Sequence, residues 1–154
     1  MFDDKTIDKI KKIKIVLTDV DGVLTDGGMY YTEDGLVMKK FNVKDGMGAV
    51  KLREAGFITG LISTDTNPIN AVRGERLRMD YVFNGIWEKH KTAKEIAEKE
   101  KLTLENVAFL GDDINDLEVM KCVGFSASPS NAVDEVKKTV DYVCERKGGE
   151  GAYR

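Results

Sequence analysis

Five strand-length apolar runs, each closed by turn residues, alternate with helical patterns along this chain, and that alternation leaves few folds open. The first run opens the segment IKIVLTDVDGVLTDGG (Ile13–Gly28). It is followed by FITGLIS (Phe57–Ser63), DYVFNG (Asp80–Gly85), NVAFLG (Asn106–Gly111) and VGFSAS (Val123–Ser128). Between them lie MGAVKLREAG after Asp45, NPINAVRGERLR with Asn67 as N-cap and Pro68 at the first helical position, and WEKHKTAKEIAEKEK, ending before Leu102. Parallel strands need crossover connections and become buried on both sides. The expectation is therefore an α/β fold: a three-layer, Rossmann-like parallel sheet with helices on both faces. Ligands of such sheets bind outside the carboxyl ends of the strands, which singles out Asp19, Ser63 and Asp112.

Composition narrows the function classes. A chain of 154 residues with 42% hydrophobic and 33% charged residues fits one soluble globular domain, taken here as residues 1–154. Its 24 basic residues are interspersed among 27 acidic ones, so no basic stripe is available for nucleic acid. The cluster Lys9–Lys14 reads as the solvated side of a short helix running into the first strand. Cys122 and Cys144 lack metal-site or disulfide-framework spacing, which points to reduced thiols. The N-terminal MFDDKTIDKIKKIK has no apolar signal-peptide core, and no segment approaches the length of a membrane span, so a cytoplasmic location is expected.

One insertion interrupts the alternation. Two short β-like runs flank Glu33-Asp34-Gly35 and predict a hairpin over about residues 26–42, directly after the first strand. Its Met29, Tyr30, Tyr31, Leu36, Val37 and Met38 are too many apolar groups for a free ribbon, so it is expected to pair with another chain.

The first strand delivers Asp19 and Asp21 into a glycine-containing turn, where their mutual repulsion and desolvation call for a cation, a proton or a phosphoryl group. An EF-hand is excluded, because Gly22 and Val23 stand where that loop needs other residues. GDDIND (Gly111–Asp116) brings further carboxylates to the same sheet edge.

These segments, in this order, resemble the four motifs of the haloacid dehalogenase superfamily: DVDGV from Asp19, Ser63 closing GLIS, Lys89 in GIWEKHK, and GDDIND with Asp112. TDGGMYY, KKFNVKDGMG and the terminal GGEGAYR are similar to the capless group that dephosphorylates 3-deoxy-2-ulosonic acid phosphates. The resemblance implies a magnesium-dependent phosphomonoester hydrolase without a cap domain, acting on an octulosonate 8-phosphate or a nonulosonate 9-phosphate. It implies Asp19 as the nucleophile that becomes an aspartyl-phosphate and Asp21 as acid and then base. Mg2+ would be held by Asp19, Asp112 and the backbone carbonyl of Asp21, with Lys89 and Ser63 on the phosphoryl oxygens. Asp113 and Asp116 are each a ligand, an acceptor just outside the ligands, or a helix cap. Asn42, Lys44 and Asp45 either lie beside the phosphate pocket or form a turn with Asp45 as the N-cap. His90, Trp87 and Met47 are left outside the site.

The chain departs from its eight-carbon relatives in reading Ser63-Thr64-Asp65, where they usually follow motif two with glycine and arginine. Asp65 is expected to recruit Arg73 or Arg76 from the next helix and to favour a nine-carbon acid. The family also implies a homotetramer with the hairpin at its centre. The tail is either frayed or reaches a neighbouring site, where Arg154 meets the anionic substrate. Competing readings are a phospho-aspartate signalling domain, which the motif order disfavours, a non-catalytic subunit, and a broad sugar-phosphate phosphatase.

Overall fold

The computed structural model describes residues 3–154; Met1 and Phe2, part of the segment read as lacking a signal-peptide core, lie outside the described residues. Helix α1 (Asp4–Lys12) leads into β1 (Ile15–Thr18), and a hairpin of β2 (Thr25–Thr32) and β3 (Gly35–Phe41) follows. The chain continues through α2 (Val43–Glu54), β4 (Ile58–Ile62), α3 (Pro68–Leu77), β5 (Tyr81–Phe83), α4 (Lys89–Lys99) and β6 (Val107–Leu110). It closes with α5 (Leu117–Cys122), β7 (Phe125–Ser128), α6 (Asp134–Lys137) and β8 (Tyr142–Val143).

The main sheet has six strands in the order β5-β4-β1-β6-β7-β8, all parallel. β1 is central, with Ile15 and Leu17 fully buried on one face. That face packs against Ala93, Ile96 and Ala97 of α4, Val119 and Met120 of α5, and Val136 of α6. The other face meets Ala49 of α2, Leu77 of α3 and the buried Val20, Val23 and Leu24 of the loop after β1. The expected α/β layering holds, and among the described residues the only addition to it is the two-stranded hairpin. β8, two exposed residues long, carries too little periodicity to be read from sequence. Among the described residues no helix is long and apolar enough to cross a membrane.

The cap of α3 forms as expected: Asn67 accepts from the Ile69 amide ahead of Pro68. At α2 the expectation is corrected. The helix starts at Val43, two residues before Asp45, because Asn42 is the N-cap and accepts from the Lys44 amide. Asp45 is buried instead, and its carboxylate accepts from the amides of Gly151 (3.2 Å) and Tyr153 (3.0 Å). The tail is thus not frayed: it packs on its own chain through Tyr153, leaving Arg154 exposed. Gly148 makes this possible, since a Cβ there would lie 1.7 Å from the Gly22 carbonyl oxygen.

Because two backbone amides lose a charged acceptor together, Asp45→Ala is expected to destabilise the fold by about 2–4 kcal/mol in urea unfolding, with Asp45→Asn less affected. Equal stability of Asp45→Ala and the wild type would mean that the Asp45 bonds are not what holds the tail.

Candidate active site

The site begins where β1 runs out. Asp19 is the first residue beyond the strand, and its amide still donates to the Leu110 carbonyl of β6 at 2.8 Å. The chain then turns back on itself: the amides of Val23, Leu24 and Thr25 all point to the Val20 carbonyl. Burial of Val20, Val23 and Leu24 roots this turn in the core, so Asp19 before Val20 and Asp21 after it are held on a rigid base. Gly22 sits at φ +92°, and a Cβ there would lie 2.0 Å from Asp112 Oδ2. Only glycine lets the first motif and the GDDIND loop approach this closely.

Lys89 opens α4, where a cation opposes the helix dipole, yet its side chain is fully buried. Two carboxylates account for it: Nζ donates to Asp19 Oδ1 and to Asp116 Oδ1, each at 2.6 Å. Burial pulls the Lys89 ammonium down, but Asp19 and Asp116 together outweigh it and hold it above the usual lysine range. Lys91, its neighbour in the same charged run, is exposed and pairs with Glu88 on the helix surface. Asp116 accepts on its other oxygen from the Asp112 amide at 3.0 Å, so both of its oxygens are engaged. Asp113 caps the following turn by accepting from the Ile114 amide and is exposed.

Asp19, Asp112 and Asp116 bring carboxylate oxygens within 4.8 Å of one another. Burial pushes Asp19 up to about 7 against the pull of Lys89. Burial, with Asp19 and Asp116 adding repulsion, pushes Asp112 up to about 8. One lysine does not neutralise three crowded acids, and an all-oxygen donor set suits a hard divalent cation, so the residues present fit Mg2+. The carboxylate of Asp21 stands apart from this cluster.

Asp21 belongs to a second network, built around Lys39 of the hairpin. Lys39 Nζ donates to Asp21 Oδ2 (2.7 Å), Asp65 Oδ2 (2.5 Å) and Asn70 Oδ1 (3.1 Å). Asn70 in turn donates to Ser63 Oγ, which also accepts from the Asp65 amide, both at 3.1 Å. The expected pairing of Asp65 with Arg73 or Arg76 is therefore corrected, because the lysine already fills that role. Arg73 lies over the Phe41 ring and donates to the Asn42 carbonyl, while Arg76 is exposed. Asn42 Nδ2 donates to the Gly149 carbonyl, tying the tail to α2, and Lys44 is exposed. Sequence reasoning missed Lys39 and Asn70. No alternation along β3 marks Lys39, since Val37 and Met38 before it and Lys40 after it are all exposed, so the sequence carried no signal for its burial.

Comparison with known proteins identifies the architecture. The profile of the haloacid dehalogenase-like hydrolases matches residues 56–154. The chain belongs to that family. It is 37% identical over 146 residues to the 3-deoxy-D-manno-octulosonate 8-phosphate phosphatase KdsC of Haemophilus influenzae, covering 95% of this chain and 81% of that protein. The Escherichia coli K12 protein of the same name is 33% identical over 148 residues, covering 96% of this chain and 79% of its own. Among solved structures, the Moraxella catarrhalis 3-deoxy-D-manno-octulosonate 8-phosphate phosphatase, in complex with magnesium, phosphate and KDO, superposes with a TM-score of 0.94. It is 30% identical, and the match covers 99% of this chain and 87% of that one. The cobalt-bound H. influenzae enzyme gives a TM-score of 0.91 at 37% identity, covering 95% and 85%. This family member is an enzyme, a phosphatase.

The raised carboxylates set a pH signature. Without metal, the folded protein binds protons on Asp19 and Asp112 that the unfolded chain has already released, so stability should fall as pH rises from about 4 to 8. A bound divalent cation opposes this loss. Thermal melts are expected to show a metal-induced stabilisation that grows with pH across that window; a stabilisation independent of pH would contradict it.

Proposed function

We propose that this family member is a Mg2+-dependent phosphomonoester hydrolase acting on a 3-deoxy-2-ulosonic acid phosphate. The observation that carries the reading is the buried Asp19–Lys89–Asp116 arrangement with Asp112 beside it, at the carboxyl edge of β1 and β6. Relatives named for octulosonate 8-phosphate, matched over nearly the whole chain, support the substrate class.

Asp19 attacks the phosphorus in line, forming an O–P bond as the bond to the sugar oxygen breaks. Asp21 gives its proton to the departing oxygen. It then takes a proton from the water that attacks the aspartyl-phosphate, releasing inorganic phosphate and restoring Asp19. Asp19, Asp112 and the backbone carbonyl of Asp21 would hold Mg2+, which when bound supplies the positive charge that a phosphate dianion needs beside a carboxylate nucleophile. Lys89 adds a fixed positive charge on the nucleophile's side, and Ser63 offers a hydroxyl to the phosphoryl oxygens. Asp116 keeps Lys89 and the Asp112 backbone in place, and Asp113 caps their loop.

An octulosonate 8-phosphate is the first candidate substrate. A nonulosonate 9-phosphate is the second, favoured by an acid at Asp65 where eight-carbon relatives usually carry arginine. We further propose a cytoplasmic homotetramer assembled through the hairpin. Tyr30, Tyr31, Val37 and Met38 are each about half exposed or more on that ribbon (48%, 65%, 54% and 52%), apolar surface that a two-stranded sheet does not bury by itself. In such an assembly Arg154, the exposed end of the tail, would be the residue available to a neighbouring site.

Phosphate release should require Mg2+, prefer one ulosonate phosphate over simple sugar phosphates, and vanish in Asp19→Asn. An enzyme with no release above that blank would leave the non-catalytic reading in place. Asp65→Arg is expected to shift preference between the eight- and nine-carbon substrates by about tenfold, or about 1.4 kcal/mol; unchanged preference would remove Asp65 from specificity. Light scattering showing a monomer would remove the assembly.

A further inference from the structure

Two large apolar side chains stand exposed on the carboxyl edge of the sheet: Trp87, 73% exposed, in the loop after β5, and Ile114, 65% exposed, in the loop after β6. Each lies two residues before a buried charged group of the site, Trp87 before Lys89 and Ile114 before Asp116. Each loop thus sends a charge inward to the Asp19 centre and an apolar group out to solvent. In the strand order β5-β4-β1-β6 the two loops come from opposite sides of β1, so they bracket the strand end that carries Asp19. A single exposed apolar residue is ordinary, but a pair at the same spacing on two site-forming loops is not explained by the core.

The loop that carries Trp87 is tied to the site on both sides. The amides of Gly85 and Ile86 donate to the carbonyls of Asp65 (3.0 Å) and Ser63 (2.9 Å), at the end of β4. Two residues beyond Trp87, Lys89 anchors the start of α4 to Asp19 and Asp116. Asp19 itself is only 5% exposed, so a phosphoryl group that reaches it lies at the floor of the site, and the rest of the ester has to leave across the rim. An indole and a branched alkyl group have little to offer a phosphate. They suit a carbon skeleton: a 3-deoxy sugar acid presents a CH2 group and ring C–H bonds on which an aromatic face can lie.

We propose that Trp87, with Ile114 across the strand end, is a specificity-determining residue that packs against the carbon skeleton of the sugar-acid ester beyond its phosphate; this rests on the substrate class proposed above. A contact away from the reacting phosphorus binds the ground state and the transition state alike, so its loss appears in KM rather than in kcat. A phosphate ester too small to reach the rim gains nothing from it.

Trp87 is the only tryptophan of the chain, so the emission of the unaltered protein reports on this residue alone. In the Mg2+-loaded wild type, inorganic phosphate is expected to leave that emission unchanged, and octulosonate added together with phosphate to shift it to the blue. Steady-state kinetics of the wild type, Trp87→Ala and Trp87→Phe then compare acetyl phosphate with whichever ulosonate phosphate the wild type turns over faster. Trp87→Ala should raise KM for the sugar-acid ester about tenfold, keep kcat within about twofold and leave acetyl phosphate hydrolysis unaltered, with Trp87→Phe recovering most of the loss. Truncating so exposed a side chain spares the fold. Equal losses on both esters, or emission unmoved at octulosonate concentrations that inhibit the enzyme, would overturn the rim contact while leaving the hydrolase reading intact. Emission already blue in the free protein would put Trp87 under a second copy and overturn the contact as well. A wild type that cleaves acetyl phosphate but no ulosonate phosphate would overturn the substrate class, and one that cleaves neither would overturn the hydrolase reading; the role of Trp87 falls with either.

Discussion

The buried ammonium of Lys89 between Asp19 and Asp116 is the interaction on which the rest of the site depends. Removing a lysine from water costs several kcal/mol, and two carboxylates with well-formed hydrogen bonds offset it. In meeting that cost the pair joins three elements distant in sequence: the end of β1, the start of α4 and the loop after β6. The same contact fixes Asp116, whose second oxygen holds the Asp112 amide. One charge thus orients the nucleophile candidate and the backbone of its neighbouring acid.

Around this centre the acids divide into two groups with different surroundings. Asp19, buried, and Asp112, partly buried, are crowded and raised, which is the state of carboxylates prepared for a multivalent cation. Asp21 and Asp65 instead share Lys39, a cation belonging to the protein itself. Gly22 stands at the boundary, close enough to Asp112 that no side chain fits, and the glycines of the tail press against the opposite side of the same turn. The loop after β1 is therefore packed against both GDDIND and the C-terminal segment, and its rigidity comes from these contacts.

Much of this was legible in the chain. Apolar runs with turn residues gave the parallel strands, because buried strands must be continuous in hydrophobicity, and the motif order located the carboxyl edge. Asn67 and Pro68 marked a helix start through local chemistry alone. What escaped were contacts between segments far apart in sequence. Asp45 looked like a helix cap because its local context allows one, yet its partners are amides more than a hundred residues away. Asp65 was expected to find an arginine one or two helical turns along, but the hairpin delivers Lys39 from 26 residues upstream. No local pattern records such a pairing, since it follows from how the hairpin folds back over β1 and β4.

Asp19 and Asp112 are expected to form a divalent-cation site beside a lysine that stays in place. Anomalous diffraction from crystals of the protein with Mn2+ in place of Mg2+ tests it most directly. One strong peak is expected within coordination distance of carboxylate oxygens of Asp19 and Asp112, with Lys89 still bonded to Asp19 and Asp116. A peak elsewhere, or a cation that displaces Lys89 from between the two acids, would contradict it.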